Sequence, residues 1–394
     1  MPHPLEGVRV LSVEQYGAGP FGSMWLADQG AEVIKIEQPG VGDFARDLGP
    51  YWFDNGESQW FHAYNRNKKS LTLNLGCDEG RDIFLDLVRS ADVVVSNLRG
   101  DVPSSLGLTY DDLRIVNRKI VCAHLSAYGR EGSRRSWPGF DYLMQAETGW
   151  FSLTGDPDHE PTRFGLSVVD QMTGLALAYA ALCGVIRARE TGDGGDLDVS
   201  LFDVALSNLA YPAMWYLNSG HLQKRLARSA HPSLTPCQLY KTADGWIYIM
   251  CNKEKFWLAL TEAIGHPEWS KDPRFKTFKD RLEARIIIQE ILDEALSAKT
   301  TAEWLVQFAG TIPSAPILDV GEALDSPFVK DEGRLQDIKL EGHGTYQYLR
   351  SPVLAEDPAP SNPAPKLGEH TNDLLEELGY DDVQLETLRS KKVI

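Results

Sequence analysis

The spacing of apolar positions along the first forty residues switches from strand-like to helical and back. VRVLSV (8–13) is a short β-rich run, FGSMWLADQG repeats its apolar residues at helical intervals and stops at Gly30, and AEVIKIE is a second β-rich run closed by Gln38-Pro39-Gly40. Together they predict one βαβ unit. Further on, DIFLDLVRSA reads as a helix feeding the strand DVVVSNL, and IVCAHLSAYG reads as a buried strand ending in a glycine turn. This alternation predicts an α/β fold whose mostly parallel sheet is covered by helices on both faces.

From Asp141 the pattern becomes helical, through DYLMQAETGWFSL and then the long run VVDQMTGLALAYAALCGVIRARE, which stops at the glycine cluster TGDGG. A strand over DLDVSLF and a helix up to Trp215 follow. The basic, proline-marked stretch from about His221 to Pro236 reads as a linker. After it, GWIYIMCN opens a smaller α+β segment with helices around FWLALTEAIG, IIIQEILDEAL and TAEWLVQFAG, and a Pro-rich tail leads to a final amphipathic helix. The expected organisation is a large domain over 1–220, a small α+β domain over 221–325 and a C-terminal return over 326–394. A chain of 394 residues is long enough for two such cores.

Charge narrows the partners. The excess of 56 acidic over 39 basic residues gives a formal charge of −17, which repels nucleic acid and anionic lipid surfaces. The N-terminus lacks a basic segment followed by an apolar one, and LALAYAALCGVI falls short of the roughly 20 apolar residues that span a bilayer, so a cytoplasmic protein is expected. Five scattered cysteines without a C-x-x-C pair fit reduced thiols rather than a zinc site, and no metal is expected.

The candidate chemistry begins with GAGPFG (17–22), a G-x-G-x-x-G between a strand and a helix. A dinucleotide-binding loop has this form, and Glu37 stands at the distance of its ribose-binding acid. Pro20 removes one donor from such a loop, however, and Gln15-Tyr16 place bulk at its mouth, so a glycine-eased turn in a doubly wound sheet is the simpler account. Asp141 follows a Pro-Gly turn at the mouth of a helix, where it serves either as an N-cap or as an exposed, low-pKa carboxylate suited to covalent catalysis. Arg66, Lys68 and Lys69 form a basic cluster, and Arg99 ends a predicted strand, where open α/β sheets line ligand crevices.

In their order, these segments resemble the family III CoA-transferases, the group of formyl-CoA transferase and carnitine CoA-transferase. The resemblance rests on PLEGVRVLSVEQYGAGPFGSMWLADQGAEVIKIEQPGVGDFAR, NRNKKSLTLNL, ADVVVSNLRG, SAYGREG through PGFDYLMQA, the VVDQMTG to LFD block, and KLGEHTNDLLEELGY. It implies a Rossmann-like large domain from both chain ends with a smaller inserted α+β domain, and an interlocked homodimer. It implies coenzyme A as the acyl-CoA co-substrate and a short organic acid as acceptor, with no metal. Asp141 matches the nucleophile in the resemblance and Glu131 falls close to a second carboxylate. Gln15 and Ala18 match the first loop of the CoA and acyl site, and Gly17 and Gly19 leave backbone N–H groups free for oxyanions. Lys69, or Lys68 at a one-residue offset, and Arg99 match basic positions near the nucleotide. The stretch SAHPSLTPCQLY stands where formyl-CoA transferase carries a glycine-rich loop, which weakens any extension to formyl or oxalyl substrates.

The expected reaction is transfer of CoA, with succinyl-CoA as donor, through an aspartyl thioester. Arg163, Arg225 and Arg228 are candidates for the far carboxylate of a diacid. Two alternatives stand beside it. An α-methylacyl-CoA racemase shares the fold but carries His directly before the shared Asp, where this chain has Phe140. A catalytically silent CoA-binding protein is the other.

Overall fold

The structure is a computed structural model that describes residues 3–354 and 361–394. Within the expected Pro-rich tail, residues 357–360 therefore lie outside the described residues. The chain divides into two compact units, one of Met1–Thr148, Phe164–Ala210 and Gly333–Ile394, the other of Gly149–Arg163 and Tyr211–Glu332. The smaller unit thus includes Gly149–Arg163, which the sequence pattern had placed in the large domain. Gly149, at φ 90, adopts a backbone conformation that glycine accommodates readily just where the chain crosses over.

The larger unit is built on six parallel strands, β1 (Arg9–Val13), β2 (Glu32–Glu37), β3 (Lys69–Thr72), β4 (Val93–Ser96), β5 (Val121–Ser126) and β6 (Gly195–Ser200). Their order across the sheet is β3-β2-β1-β4-β5-β6, so the direction of winding reverses between β1 and β4. A crevice opens at the C-terminal ends of the strands on either side of such a reversal. Alternate residues feed two cores. Val10, Val33, Val95 and Ala123 face one side, while Leu11, Ile34, Val94 and Cys122 face the other. The C-terminal return packs into the second core through Leu374, Leu375, Leu385 and Leu388.

Three helices position the site: α1 (Ala18–Asp28), α2 (Asp141–Glu147) and α3 (Val168–Thr191). Among the described residues α3 is the helix long and apolar enough to cross a membrane, contrary to the sequence-based estimate from its LALAYAALCGVI core alone. Half of that stretch is buried, with Leu177, Ala181 and Val185 in the first core, which is the arrangement of a core helix in a globular unit. The α1 and α3 helices approach closely because Gly22 and Gly174 face each other. A Cβ on Gly22 would fall 2.3 Å from the carbonyl oxygen of Gly174.

β3 was not evident in the sequence, since NRNKKSLTLNL reads as a basic cluster before it reads as a strand. The smaller unit holds an antiparallel sheet of β7 (Cys237–Lys241), β8 (Trp246–Met250) and β9 (Ser314–Pro316). Helices Glu254–Ala263, Arg285–Leu296 and Thr301–Phe308 close over Trp257, Ile288, Leu292 and Phe308.

Candidate active site

A cleft of about 530 Å³ lies at the winding reversal, lined by the loop after β1, the end of β4, the end of β5, the turn before α2 and the start of α3. Gln15, Tyr16, Gly17 and Ala18 form one wall, and Asn97, Leu98 and Arg99 form the next. Trp137 to Phe140 and Phe44 add aromatic surface, and the carboxylate in the lining is that of Asp170.

The first loop is held open by its neighbours. Asn97 brackets Gln15, its Oδ1 accepting the Gln15 N–H at 2.8 Å and its Nδ2 donating to the Gln15 carbonyl at 2.6 Å. Tyr16 is left-handed, at φ 70, and its N–H donates to Asp43 Oδ1 at 2.9 Å. Asp43 is fixed in turn by a buried ion pair to Lys35 at 2.7 Å. A strained non-glycine residue beside a cleft persists only where its surroundings overdetermine it, as these bonds do. Directly after it α1 begins, so the N–H groups of Gly17, Ala18 and Gly19 have no partner within the helix and carry its positive end.

Asp170 meets this helix start. It sits in the first turn of α3 and is only 8% exposed. A Cβ at Gly17 would lie 3.4 Å from Asp170 Oδ2, so the two backbone and side-chain groups face each other with nothing between. Burial, and second the charge of Asp141, push the Asp170 carboxyl up from 3.8 to about 7. Burial and the Asp170 charge likewise raise the Tyr16 phenol. This is an acid poised near neutrality in a cleft, facing amides that can stabilise an oxyanion.

Asp141 is neither the N-cap nor the exposed carboxylate that the Pro-Gly turn left open. Phe140 is the N-cap of α2, Asp141 is its first residue, and the Asp141 side chain turns inward, with 3% of the residue exposed. Its Oδ1 accepts from Gln145 Nε2 at 2.6 Å and its Oδ2 accepts the Asp170 N–H at 2.8 Å. It does not line the cleft.

Residues 5–371 match the CoA-transferase family III. The chain belongs to that family. Over 383 residues it is 32% identical to the succinate–glutarate CoA-transferase of Agrobacterium fabrum, an alignment that spans 95% of this chain and 96% of that protein. It is 34% identical over 379 residues to the acetyl-CoA:oxalate CoA-transferase of Acetobacter aceti, covering 93% of each. The crystal structure of a CaiB/BaiF family protein from Brucella suis superposes with a TM-score of 0.81 at 32% identity, over 96% of this chain and all of that one. This family III enzyme is an acyl-CoA:carboxylate CoA-transferase, with CoA as co-substrate.

Of the residues singled out in the transferase sequence, Gln15, Gly17, Ala18 and Arg99 line the cleft. Arg99 is held by a two-pronged pair with Asp101 at 2.6 and 2.8 Å. Gly19 is pressed against Asn97, whose side chain would lie 2.8 Å from an added Cβ. Lys68 lies elsewhere: its ammonium is wholly buried, donating to Glu14 Oε1, the Pro20 carbonyl and Asn65 Oδ1, each at 2.9 Å. Such a group binds the protein rather than a nucleotide. Lys69 pairs with Glu32 at 2.6 Å near the sheet edge. Glu131 is exposed in the loop after β5 and does not line the cleft. In the smaller unit, Arg225 donates to the carbonyls of Asp156 and Glu160, and Arg228 pairs with Asp293.

Asp170, Asn97 and Asp43 do not stand out in the sequence. The signal for Asp170 was present in VVDQMTG, where an acid opens an otherwise apolar helix four residues before the glycine that lets it approach α1.

Proposed function

We propose that this enzyme moves CoA from succinyl-CoA to another short carboxylic acid, with the Asp170 carboxylate as the nucleophile. The observation that carries the reading is the position of Asp170, in the cleft wall against the first turn of α1, whereas the carboxylate of Asp141 is committed to the protein. Ionised Asp170 attacks the thioester carbonyl carbon, and the oxygen that becomes negative is met by the free amides of Gly17 to Gly19. Loss of the thiolate leaves an Asp170–acyl anhydride. The thiolate returns to the aspartyl carbonyl, forming an aspartyl-CoA thioester and releasing the donor acid. The acceptor carboxylate then attacks that thioester, expelling CoA thiolate and forming a second anhydride. Attack of the thiolate on its acyl carbon yields the new acyl-CoA and restores Asp170. One thioester replaces another, so no ATP enters the balance.

The aromatic wall of Tyr16, Phe44, Trp137 and Phe140 supports this chemistry by keeping water from the anhydrides. The succinyl donor is supported by the name of the Agrobacterium relative. Phe140 offers no imidazole for the acid/base chemistry of a racemase. Exposed Leu175, Tyr179 and Ile186 on α3 support a homodimer, since monomers rarely leave such residues together on one helix.

The test is incubation with succinyl-CoA, borohydride or hydroxylamine trapping, and peptide mass spectrometry. The adduct is expected on Asp170, and Asp170→Asn is expected to abolish exchange of labelled succinate into succinyl-CoA. Full exchange by that variant, or an adduct on Asp141, overturns the assignment.

A further inference from the structure

Helix α3 starts without a cap of its own. Ser167 holds the N-cap position, yet its side chain accepts no N–H from the first turn and lies 3.5 Å from the Tyr142 hydroxyl. A serine at the N-cap commonly accepts from the amide two or three residues on, here that of Val169 or Asp170. That amide instead donates to Asp141 Oδ2, from a residue 29 positions earlier on another helix. The support extends further. Gln145, one turn along α2, donates from one Nε2 to Asp141 Oδ1 at 2.6 Å and to the Leu166 carbonyl at 3.2 Å, while its Oε1 accepts the Phe164 N–H at 2.9 Å. Gln145 is wholly buried. The segment from Phe164 to Asp170 is therefore held at its beginning, middle and end by two side chains of α2.

Resting on the assignment of Asp170 as nucleophile, we infer that Asp141 is a positioning residue, a cap supplied by α2 that fixes the first turn of α3 and so aims the Asp170 carboxylate at Gly17 and the cleft. An acid at Asp170's place in a first turn commonly folds back to cap its own helix start. Here the Asp170 carboxylate instead lies in the cleft wall beside Gly17, and its own amide is held by Asp141. The same contact brings a second negative charge to its back. Among the described residues, the phenols of Tyr16, from the loop after β1, and Tyr64, from helix Gln59–Asn65, feel the Asp170 charge. Asp141 is thus the carboxylate that opposes its ionisation.

Two substitutions test the role. Asp141→Ala removes the cap, and because small misplacements of a reacting group can cost about 100-fold, kcat is expected to fall by about 10- to 100-fold with the KM for succinyl-CoA within about threefold. Asp141→Asn keeps an acceptor for the Asp170 amide and removes the charge. Its kcat/KM profile is expected to extend to lower pH, the acid limb moving down by about one pH unit or more. A cap that served stability alone would lower the melting temperature and leave that limb in place. Wild-type kcat in Asp141→Ala, or an unmoved acid limb in Asp141→Asn, overturns the inference. If Asp141→Ala fails to fold, the Asn variant decides alone. The nucleophile assignment is judged separately, by the trapped adduct: an adduct on Asp170 together with unaffected Asp141 variants removes the positioning role only, and full exchange by Asp170→Asn removes the nucleophile.

Discussion

Gly22 and Gly174 meet backbone to backbone where α1 packs on α3. A methyl group on Gly22 would sit 2.3 Å from the Gly174 carbonyl oxygen, and one on Gly174 would sit 2.4 Å from the carbonyl oxygen of Ala18. The contact lies within about one and a half turns of both Gly17 and Asp170, so it sets the distance between the helix start and the acid that faces it. In a helix interior Gly→Ala ordinarily stabilises by about 0.5–1 kcal/mol. Here the clash is with backbone, which has no rotamer to change. Gly174→Ala is expected to destabilise by about 1–3 kcal/mol, the usual cost of overpacking, and to lower kcat with it. Denaturant midpoints and steady-state rates check this; a variant as stable as wild type contradicts it.

Lys68 and Glu14 form an ion pair in which neither side chain reaches solvent. Burial draws the Lys68 ammonium down to about 8, while Glu14 opposes the shift. Lys68→Met leaves Glu14 charged and unpaired, and is expected to cost about 3–5 kcal/mol of stability. The double variant Glu14→Gln/Lys68→Met is expected to recover much of that loss. Lys69→Ala, which breaks only a half-exposed pair with Glu32, is expected to cost at most about 1 kcal/mol. Chemical denaturation of the three variants is the measurement, and a mild Lys68→Met with a raised KM for acyl-CoA would return Lys68 to the binding site.

Arg134 lies over the rings of Tyr128 and Trp137, 5.3 and 4.7 Å from their centroids, and pairs with Glu147. Glu147 also accepts from the Tyr128 hydroxyl at 2.9 Å. These contacts anchor the loop that delivers Trp137 to Phe140 to the cleft. Arg134→Ala is expected to raise the KM for acyl-CoA several-fold with kcat and melting temperature little changed. A lowered kcat at unchanged KM would speak against this.

Much of the fold was legible in the sequence because the β1-α1-β2 unit, β4, β5 and α3 each combine one clear period with a glycine stop. β3 was obscured because Lys68 and Lys69, just before it and at its start, look like a solvated run, although Lys68 is buried. The site was legible at Gln15, Gly17, Ala18 and Arg99, which follow strands at the winding reversal. Asp170 was not, because an acid in a first turn reads as a helix-dipole partner. Asp141 drew the nucleophile's role through the resemblance of PGFDYLMQA to the family pattern, while its Pro-Gly turn left it open between an N-cap and an exposed carboxylate. Which of two carboxylates faces the cleft depends on a bond between residues 29 positions apart, and no local pattern encodes it.

The titration of Asp170 is expected in two independent measurements. Its carboxyl is raised to about 7 in the folded chain, first by burial and then by Asp141, against an ordinary 3.8 when unfolded. Well below pH 3.8 both states hold the proton and the group costs nothing. Between there and about 7 the unfolded chain has lost a proton that the folded chain keeps, so stability falls as pH rises, and above about 7 the penalty levels off at about 4 kcal/mol. Asp170→Asn removes the group, so the variant is expected to be more stable than wild type at pH 8 by up to that amount, and no more stable near pH 4. The difference between the two proteins reports this carboxyl together with its coupling to Asp141, since the other titrating groups are shared. Catalysis reads the same proton with the opposite benefit. Only the ionised form attacks a thioester, so wild-type kcat/KM is expected to fall about tenfold per pH unit below about 7. An activity limb near pH 4 together with a pH-independent stability difference would show that Asp170 ionises like an exposed carboxylate, and the burial that defines its role in the cleft would have to be abandoned.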